Sequence, residues 1–154
     1  MVDAQAGHEK TITSLLPAMS GANLIYGMGM LELGRTFSFT QLVIDNEIAG
    51  MVKRVVQGIG VSDETLATDL IKKVGAGRDF LSQRHTLNMM KREQSQAKLF
   101  DRRMRGAWEK RGAKDVATAA QEEAVRILET HKGAELPMDI LKELRLIVVK
   151  AVKD

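Results

Sequence analysis

Residues 22–60 read ANLIYGMGMLELGRTFSFTQLVIDNEIAGMVKRVVQGIG, and the order of patterns in this stretch decides the fold class. Asn23-Leu24-Ile25-Tyr26 is an apolar run of strand length, ended by Gly27 and Gly29. Val43, Ile44, Ile48, Met51, Val52, Val55 and Ile59 then recur at helical spacing. They cover an arc wide enough to predict a helix buried on a broad face. A strand apolar on both faces, followed at once by such a helix, is the repeating unit of a parallel α/β sheet. In those sheets the chemistry lies on the loop after the strand. Here that loop is Gly27 to Phe39.

On the N-terminal side, Met1 to Lys10 reads as a polar loop. A helix follows, with Ile12, Leu15, Leu16 and Met19 on one stripe, Ser20-Gly21 as its stop and Pro17 marking a kink or an early end. On the C-terminal side, Thr40 is the predicted N-cap of the long helix, and Gly58 and Gly60 terminate it. Beyond Gly60 the chain reads as helical throughout. Ser62 opens a helix with Thr65 in the place of the usual capping-box Glu, and Gly75 closes it. Phe80 to Ser95 and Leu99 to Arg111 are further helices, the second with Phe100, Met104 and Trp108 facing inward. Asp115 to His131 carries Val116, Ala120, Ala124, Ile127 and Leu128 on one side. Pro137 sits in the first turn of a last helix, lined by Leu141, Leu144, Ile147, Val148 and Val152. This divides the chain into an α/β part, residues 1–60, and a helical extension, residues 61–154. One strand cannot satisfy its own backbone groups. The sheet is therefore expected to be completed by another chain or by the rest of a longer polypeptide, and the second is the expectation adopted.

The 154 residues are 44% apolar and 28% charged, with a net charge of +3. No window approaches a membrane span, and the expected compartment is the cytoplasm. Without cysteine there is no disulfide, thiol nucleophile or thiolate metal site. His8, His85 and His131 lie far apart with no ligand spacing, so no metal site is expected. No nucleophile elbow or phosphate-cradling loop is present either, since Gly27-Met28-Gly29 lacks the context of a dinucleotide fingerprint. The nine methionines read as pliable packing. Asp45 and Glu47 sit in an otherwise apolar helix, where carboxylates are seldom left unpaired. Arg35 or Lys53 is the expected partner, with an approach to the active site as the alternative. Within Arg84 to Lys114 there are 10 basic residues against 3 acidic ones. That excess reads as a solvated helical face or a docking surface for another protein. A nucleic-acid face would need stacking groups, and the helical spacing of Phe100 and Trp108 turns them inward.

The stretches DAQAGHEK (Asp3–Lys10), ANLIYGMGMLELGRTFSF (Ala22–Phe39), QLVIDNEIAGM (Gln41–Met51), KLFDRRMRGAWEKRGAKD (Lys98–Asp115) and ILETH (Ile127–His131) together resemble the C-terminal part of the trimethylamine methyltransferase family. The likeness covers nearly the whole chain, with several long motifs in one order. It implies a (β/α)8 barrel of roughly three times this length, of which this chain supplies the last one or two βα units plus a helical extension. It also implies transfer of a methyl group from trimethylamine, or from glycine betaine or a related quaternary amine, to the cobalt of a corrinoid on a partner protein. Cobalt(I) would attack a methyl carbon on a positively charged nitrogen, with positioning and electrostatics supplying the catalysis. The isolated chain, lacking most of a barrel, is expected to be inactive, and a homo-oligomer is expected.

On that resemblance, Asp3, Gln5, Gly7 and His8 lie at the C-terminal end of the penultimate barrel strand. Gln5 or His8 can contact substrate or orient the corrinoid there. The competing reading is a capping loop, with Asp3 or Glu9 facing a helix N-terminus. Tyr26, Gly27, Gly29, Met30 and Glu32 form the loop after the last strand. Glu32 supplies a field for a cation, Tyr26 a cation–π face, and the glycines a close approach for a flat macrocycle. Glu32, Tyr26 and His8 are the candidate catalytic residues. Phe37 and Phe39 alternate and serve either as core packing or as a pocket wall. A reading from a different class is a non-enzymatic helical module that binds a partner through its basic face at residues 84–114.

Some members of that family carry pyrrolysine, encoded by an in-frame amber codon, shortly upstream of the DAQAG-like loop. Sequencing the DNA directly upstream of Met1 is expected to show, in frame, about six further βα units, interrupted at most by one amber codon. Several stops without barrel-like coding would mean that the chain stands alone.

Overall fold

The computed structural model describes residues 1–152. The chain is mostly helical: α1 (Ala4–Met19), β1 (Met30–Leu31), β2 (Thr36–Phe37), α2 (Phe39–Val56), α3 (Asp63–Leu66), α4 (Thr68–Val74), α5 (Arg84–Glu93), α6 (Arg105–Glu109), α7 (Val116–Thr130) and α8 (Met138–Ala151). The two strands form an antiparallel hairpin, with Met30 opposite Phe37 and Leu31 opposite Thr36. No helix among the described residues is long and apolar enough to cross a membrane.

The core is small and centres on α2. Ile44, Ile48 and Val52, at four-residue spacing, are buried and meet the fully buried Ala120 of α7. Leu15 and Ala18 of α1, together with Leu99, Phe100 and Val116, pack around them. Burying each large aliphatic side chain contributes about 1.5–3 kcal/mol, so this stripe is the main adhesive between the two parts of the chain. The broad buried face expected of α2 is narrower in the structure. Val55 and Val56 are half exposed and Ile59 lies beyond the helix, 87% exposed. Among the described residues it is chiefly α1, α7 and the Leu99–Phe100 segment that cover the helix, and these neighbours hide a stripe rather than a wide arc.

Side-chain caps explain where the helices start. The Asp3 carboxylate accepts from the Ala6 amide at 3.0 Å, so α1 begins at Ala4 and absorbs the segment expected to be a loop. Ser38, not Thr40, caps α2, accepting from the Gln41 amide. Gly58, at φ +69°, follows the end of that helix. Ser62 and Thr65 do form a capping box, the Thr65 hydroxyl taking the part of the missing Glu. Ala67 then adopts a left-handed conformation that separates α3 from α4, and Gly75 ends α4 as anticipated. Asp115 caps α7, and the hydrogen bond from Thr118 holds its carboxyl below the usual carboxylate range. That cap is present above the ordinary carboxylate range and is lost as pH falls through the lowered pKa.

Three expected elements differ. Asn23 to Tyr26 is not a strand: it runs in irregular backbone, with Leu24 and Tyr26 more than four-fifths exposed. A strand exists only where a neighbour takes its N–H and C=O groups, and among the described residues none does. Leu99 to Arg111 is helical only over Arg105–Glu109, and Met104 is 85% exposed instead of inward. Phe80 lies outside α5, which starts at Arg84. The helix at Pro137 forms as read, yet Leu144, Ile147 and Val148 on its apolar face are largely exposed.

Enlarging the contact between α2 and α7 tests this core. Ala120→Leu forces three extra carbons against Ile44 and Ile48, with an expected loss of about 1–3 kcal/mol, read as a lower midpoint in chemical denaturation.

Candidate functional site

The loop after Tyr26 is fixed from below by one buried carboxylate. Asp45, on the second turn of α2 and only 5% exposed, accepts from the Gly29 amide at 2.8 Å and from Gln41 Nε2 at 2.7 Å. Its Oδ2 also lies 3.2 Å from Lys10 Nζ, which reaches across from α1. The same ammonium donates to the Gly27 carbonyl at 2.5 Å. Lys10 thus joins α1, the glycine loop and α2. A buried carboxylate is tolerated only when its lone pairs and its charge are both answered, and here three donors answer them. Gln41, 1% exposed, leaves its own Oε1 without a partner among the described residues.

The expected partners of Asp45, Arg35 and Lys53, are not the ones used. Asp45 projects toward α1, where Lys10, Ser14 and Ala18 share a face at four-residue spacing. The signal in the sequence was an acid inside an apolar helix; the choice of cation lay in the packing of α1 on α2. Glu47 accepts from the Lys98 amide at 2.6 Å and so ties α2 to the later chain.

Above the clamp, α1, the Ala22–Met30 segment and α2 enclose an open cleft of about 1130 Å³. Leu24, Ile25, Met28 and Met30 give it an apolar wall, with Ile48, Val52 and Val56 on the α2 side. Its charged lining is Lys10, Lys53 and Asp45. With Asp45 already paired, the balance is positive, so this cleft by itself offers no free anion to an ammonium group.

The structure brings part of the expected site together. Tyr26, Gly27 and Met30 line the cleft, with Gly29 buried beside them on Asp45. Glu32 stands apart at the hairpin turn, where its Oε2 accepts from the Thr36 hydroxyl at 2.7 Å. It and Leu33 adopt φ of +51° and +54°, a strained pair for non-glycine residues. The ring of Phe37 lies over Gly29 and edge-on to Phe39, with centroids 5.4 Å apart, outside the cleft lining. Asp3, Gln5, Gly7 and His8 occupy the first turns of α1. Asp3 caps the helix there, Gln5 bonds Glu9 at 2.8 Å, the Gly7 carbonyl accepts from Thr11, and His8 is exposed. None of these four lines the cleft.

Among the described residues no cluster of His, Asp or Glu has the makings of a metal site. In the basic segment, Arg92 pairs with Glu64 and Glu93, Arg103 with Asp101, Arg105 with Glu109 and Lys114 with Glu122. Arg54 of α2 pairs with Glu93 as well. The Trp108 indole donates to the Lys114 carbonyl at 2.8 Å, and Phe100 packs on the core. Four of the ten basic residues of the segment are thus held in ion pairs, two of them with the outside acids Glu64 and Glu122.

Gly29 is the one glycine whose replacement meets immediate obstruction. Its φ is +76°, and a β-carbon there would lie 2.7 Å from the Phe37 ring and 3.1 Å from Leu42 Cβ. The half-exposed Phe37 ring can swing away, but Leu42 Cβ is fixed to α2. Gly29→Ala is expected to cost about 2 kcal/mol, measurable as a shift in the denaturation midpoint.

Comparison with known proteins gives a consistent result. The profile of the trimethylamine methyltransferase (MTTB) family matches residues 1–153. A trimethylamine methyltransferase of Methanosarcina barkeri is 53% identical over 151 residues, which is 98% of this chain and 30% of that protein. Its counterpart in Desulfitobacterium hafniense is 55% identical over 146 residues, 95% of this chain and 29% of its own length. A glycine betaine methyltransferase of D. hafniense is 36% identical over 110 residues, 71% of this chain and 23% of its own. The chain thus spans about 30% of the length of the first two relatives.

Proposed function

The chain belongs to the trimethylamine methyltransferase family, and we propose that it acts as the C-terminal part of an enzyme that takes a methyl group from trimethylamine or a quaternary amine such as glycine betaine. The acceptor in this proposal is a corrinoid carried by a partner protein, which supplies the nucleophile for the methyl group when it is docked. The observation that carries the reading is identity above 50% over 95–98% of the chain. The remaining two-thirds of such an enzyme would complete the barrel and close the cleft, giving Asn23 to Tyr26 the strand neighbours it lacks among the described residues.

Each local feature has a part in that scheme. Tyr26, 85% exposed at the mouth of the cleft, offers a ring face to a methylated ammonium group. With Asp45 committed to Lys10, Glu32 is the candidate countercharge that remains among the expected residues, standing at the hairpin turn outside the cleft lining. Around Gly27 the residues fit the approach of a flat ring. The backbone there has φ +103°, and the nearest atom to a β-carbon would be Met30 Sδ at 3.8 Å. Transfer of a methyl group from a cationic nitrogen demands alignment and charge stabilisation more than proton transfer, and these groups supply both.

The test is methyl transfer from trimethylamine and from glycine betaine to a corrinoid protein, followed by cobalt absorbance. The polypeptide extended to the length of its relatives is expected to turn over one of these donors, and residues 1–154 alone neither. Within the active protein, Tyr26→Ala removes an interaction worth about 0.5–2 kcal/mol, so kcat/KM is expected to fall about 2- to 30-fold. Transfer by the isolated chain, or none by the extended one with either donor, would refute the proposal.

A further inference from the structure

We propose that Lys10 is a positioning residue: by gripping the Gly27 carbonyl and Asp45 together, it fixes the backbone that presents Tyr26 to the methylated amine. The inference rests on the methyltransferase reading above and deepens it. Its basis is where the Ala22–Met30 segment is held. The Ala22 amide bonds the Pro17 carbonyl at 3.0 Å, and the Gly29 carbonyl accepts from the Ser38 amide at 2.8 Å. Between those two points, among the described residues, Asn23 to Tyr26 make no backbone hydrogen bonds. Gly27 and Gly29 add conformational freedom to this span. After Tyr26 the Gly27 carbonyl accepts from the Met30 amide at 3.1 Å, a bond within the loop itself; the bonds that tie this stretch to the helices are those from Lys10 Nζ to the Gly27 carbonyl and from the Gly29 amide to Asp45.

Lys10 serves both points. Its ammonium is 3.2 Å from Asp45 Oδ2, so one cation orients the carboxylate for Gly29 and holds Gly27 directly. Asp45 is nearly fully buried and Lys10 about four-fifths buried, so the pair is weakly screened. A lysine suits the task because its compact head can donate in two directions at once. Removing it would leave Asp45 buried without a cation and would leave the Gly27 carbonyl only the Met30 amide, 3.1 Å away within the same loop, so that nothing would tie Gly27 to α1. The segment bearing Tyr26 would then sample several positions, and misplacement of about 1 Å costs up to about 100-fold in rate.

The experiment uses the extended, active protein with Lys10→Met, Lys10→Arg, the double variant Lys10→Met with Asp45→Asn, and Ala120→Leu as a core control. Lys10→Met is expected to lower kcat about 10- to 100-fold and to speed exchange of the Gly29 amide by about tenfold or more, with exchange in α7 unchanged. Lys10→Arg should recover most of the rate, since it restores the cation. The double variant should recover part of the Gly29 protection, because an Asn oxygen still accepts from that amide. Ala120→Leu, which weakens the core without touching the loop, should keep its kcat. An unchanged kcat or unchanged Gly29 exchange in Lys10→Met would overturn the positioning role while leaving the methyltransferase reading intact. An equal loss of kcat in Ala120→Leu would reduce Lys10 to a general stability effect and overturn it as well. Absence of methyl transfer by the unsubstituted protein would overturn both.

Discussion

The N-terminal part of the chain depends on a single buried charge. Asp45 sits among Ile44, Ile48 and the helix backbone, where an unanswered carboxylate would cost several kcal/mol. Its three donors come from three directions: the Gly29 amide from the loop, Gln41 from the same helix, and Lys10 from α1. Satisfying one acid therefore fixes the relation of α1 to α2 and the path of the glycine loop between them. The apolar contacts of Leu15 and Ala18 pull the helices together, and the acid sets which face of α1 turns inward.

The second organising contact is the small-residue seat of α7 on α2. Ala120 lets the two helices approach closely enough for Ile44, Ile48 and Val52 to be covered, and Ala124 is buried one turn further on. Glu47 and Arg54 add polar ties from α2 to Lys98 and Glu93. The core therefore continues past Gly60 into the later helices. What it does not cover is as informative. Leu24, Tyr26 and much of α8 keep large apolar surface exposed, more than a finished core usually leaves in one place. The chain spans about 30% of the length of the first relatives, and in the function proposed above those surfaces would be the contact area for the remainder of the enzyme.

How much could be read beforehand varied with how local the signal was. The cap at Ser62, the stops at Gly58 and Gly75, and the helix starts near Asp115 and Pro137 are decided within a few residues, and the helices they bound were legible. The helix start at Asp3 was misplaced because a polar segment resembles a loop until its cap is seen to engage the Ala6 amide. Asn23 to Tyr26 had the composition of a buried strand, but a strand is a pairing, and pairing partners are not written in the strand itself. The loop from Gly27 to Phe39 was legible as a candidate site from its glycines and its place after the apolar Asn23–Tyr26 run. Lys10, which holds it, carried no mark beyond a helical face shared with Ser14 and Ala18.

The sequence by itself therefore determined most of the longer helices, the Ser62–Thr65 capping box, the family and the position of the glycine loop, because each is encoded in residue spacing or in long ordered motifs. Only the tertiary structure decided that Asp45 answers to Lys10 rather than to Arg35 or Lys53, that Ser38 caps α2, and that Phe37 lies over Gly29 outside the cleft. Those choices depend on which surfaces meet in space, and a buried charge accepts whichever donor the packing of its neighbours delivers.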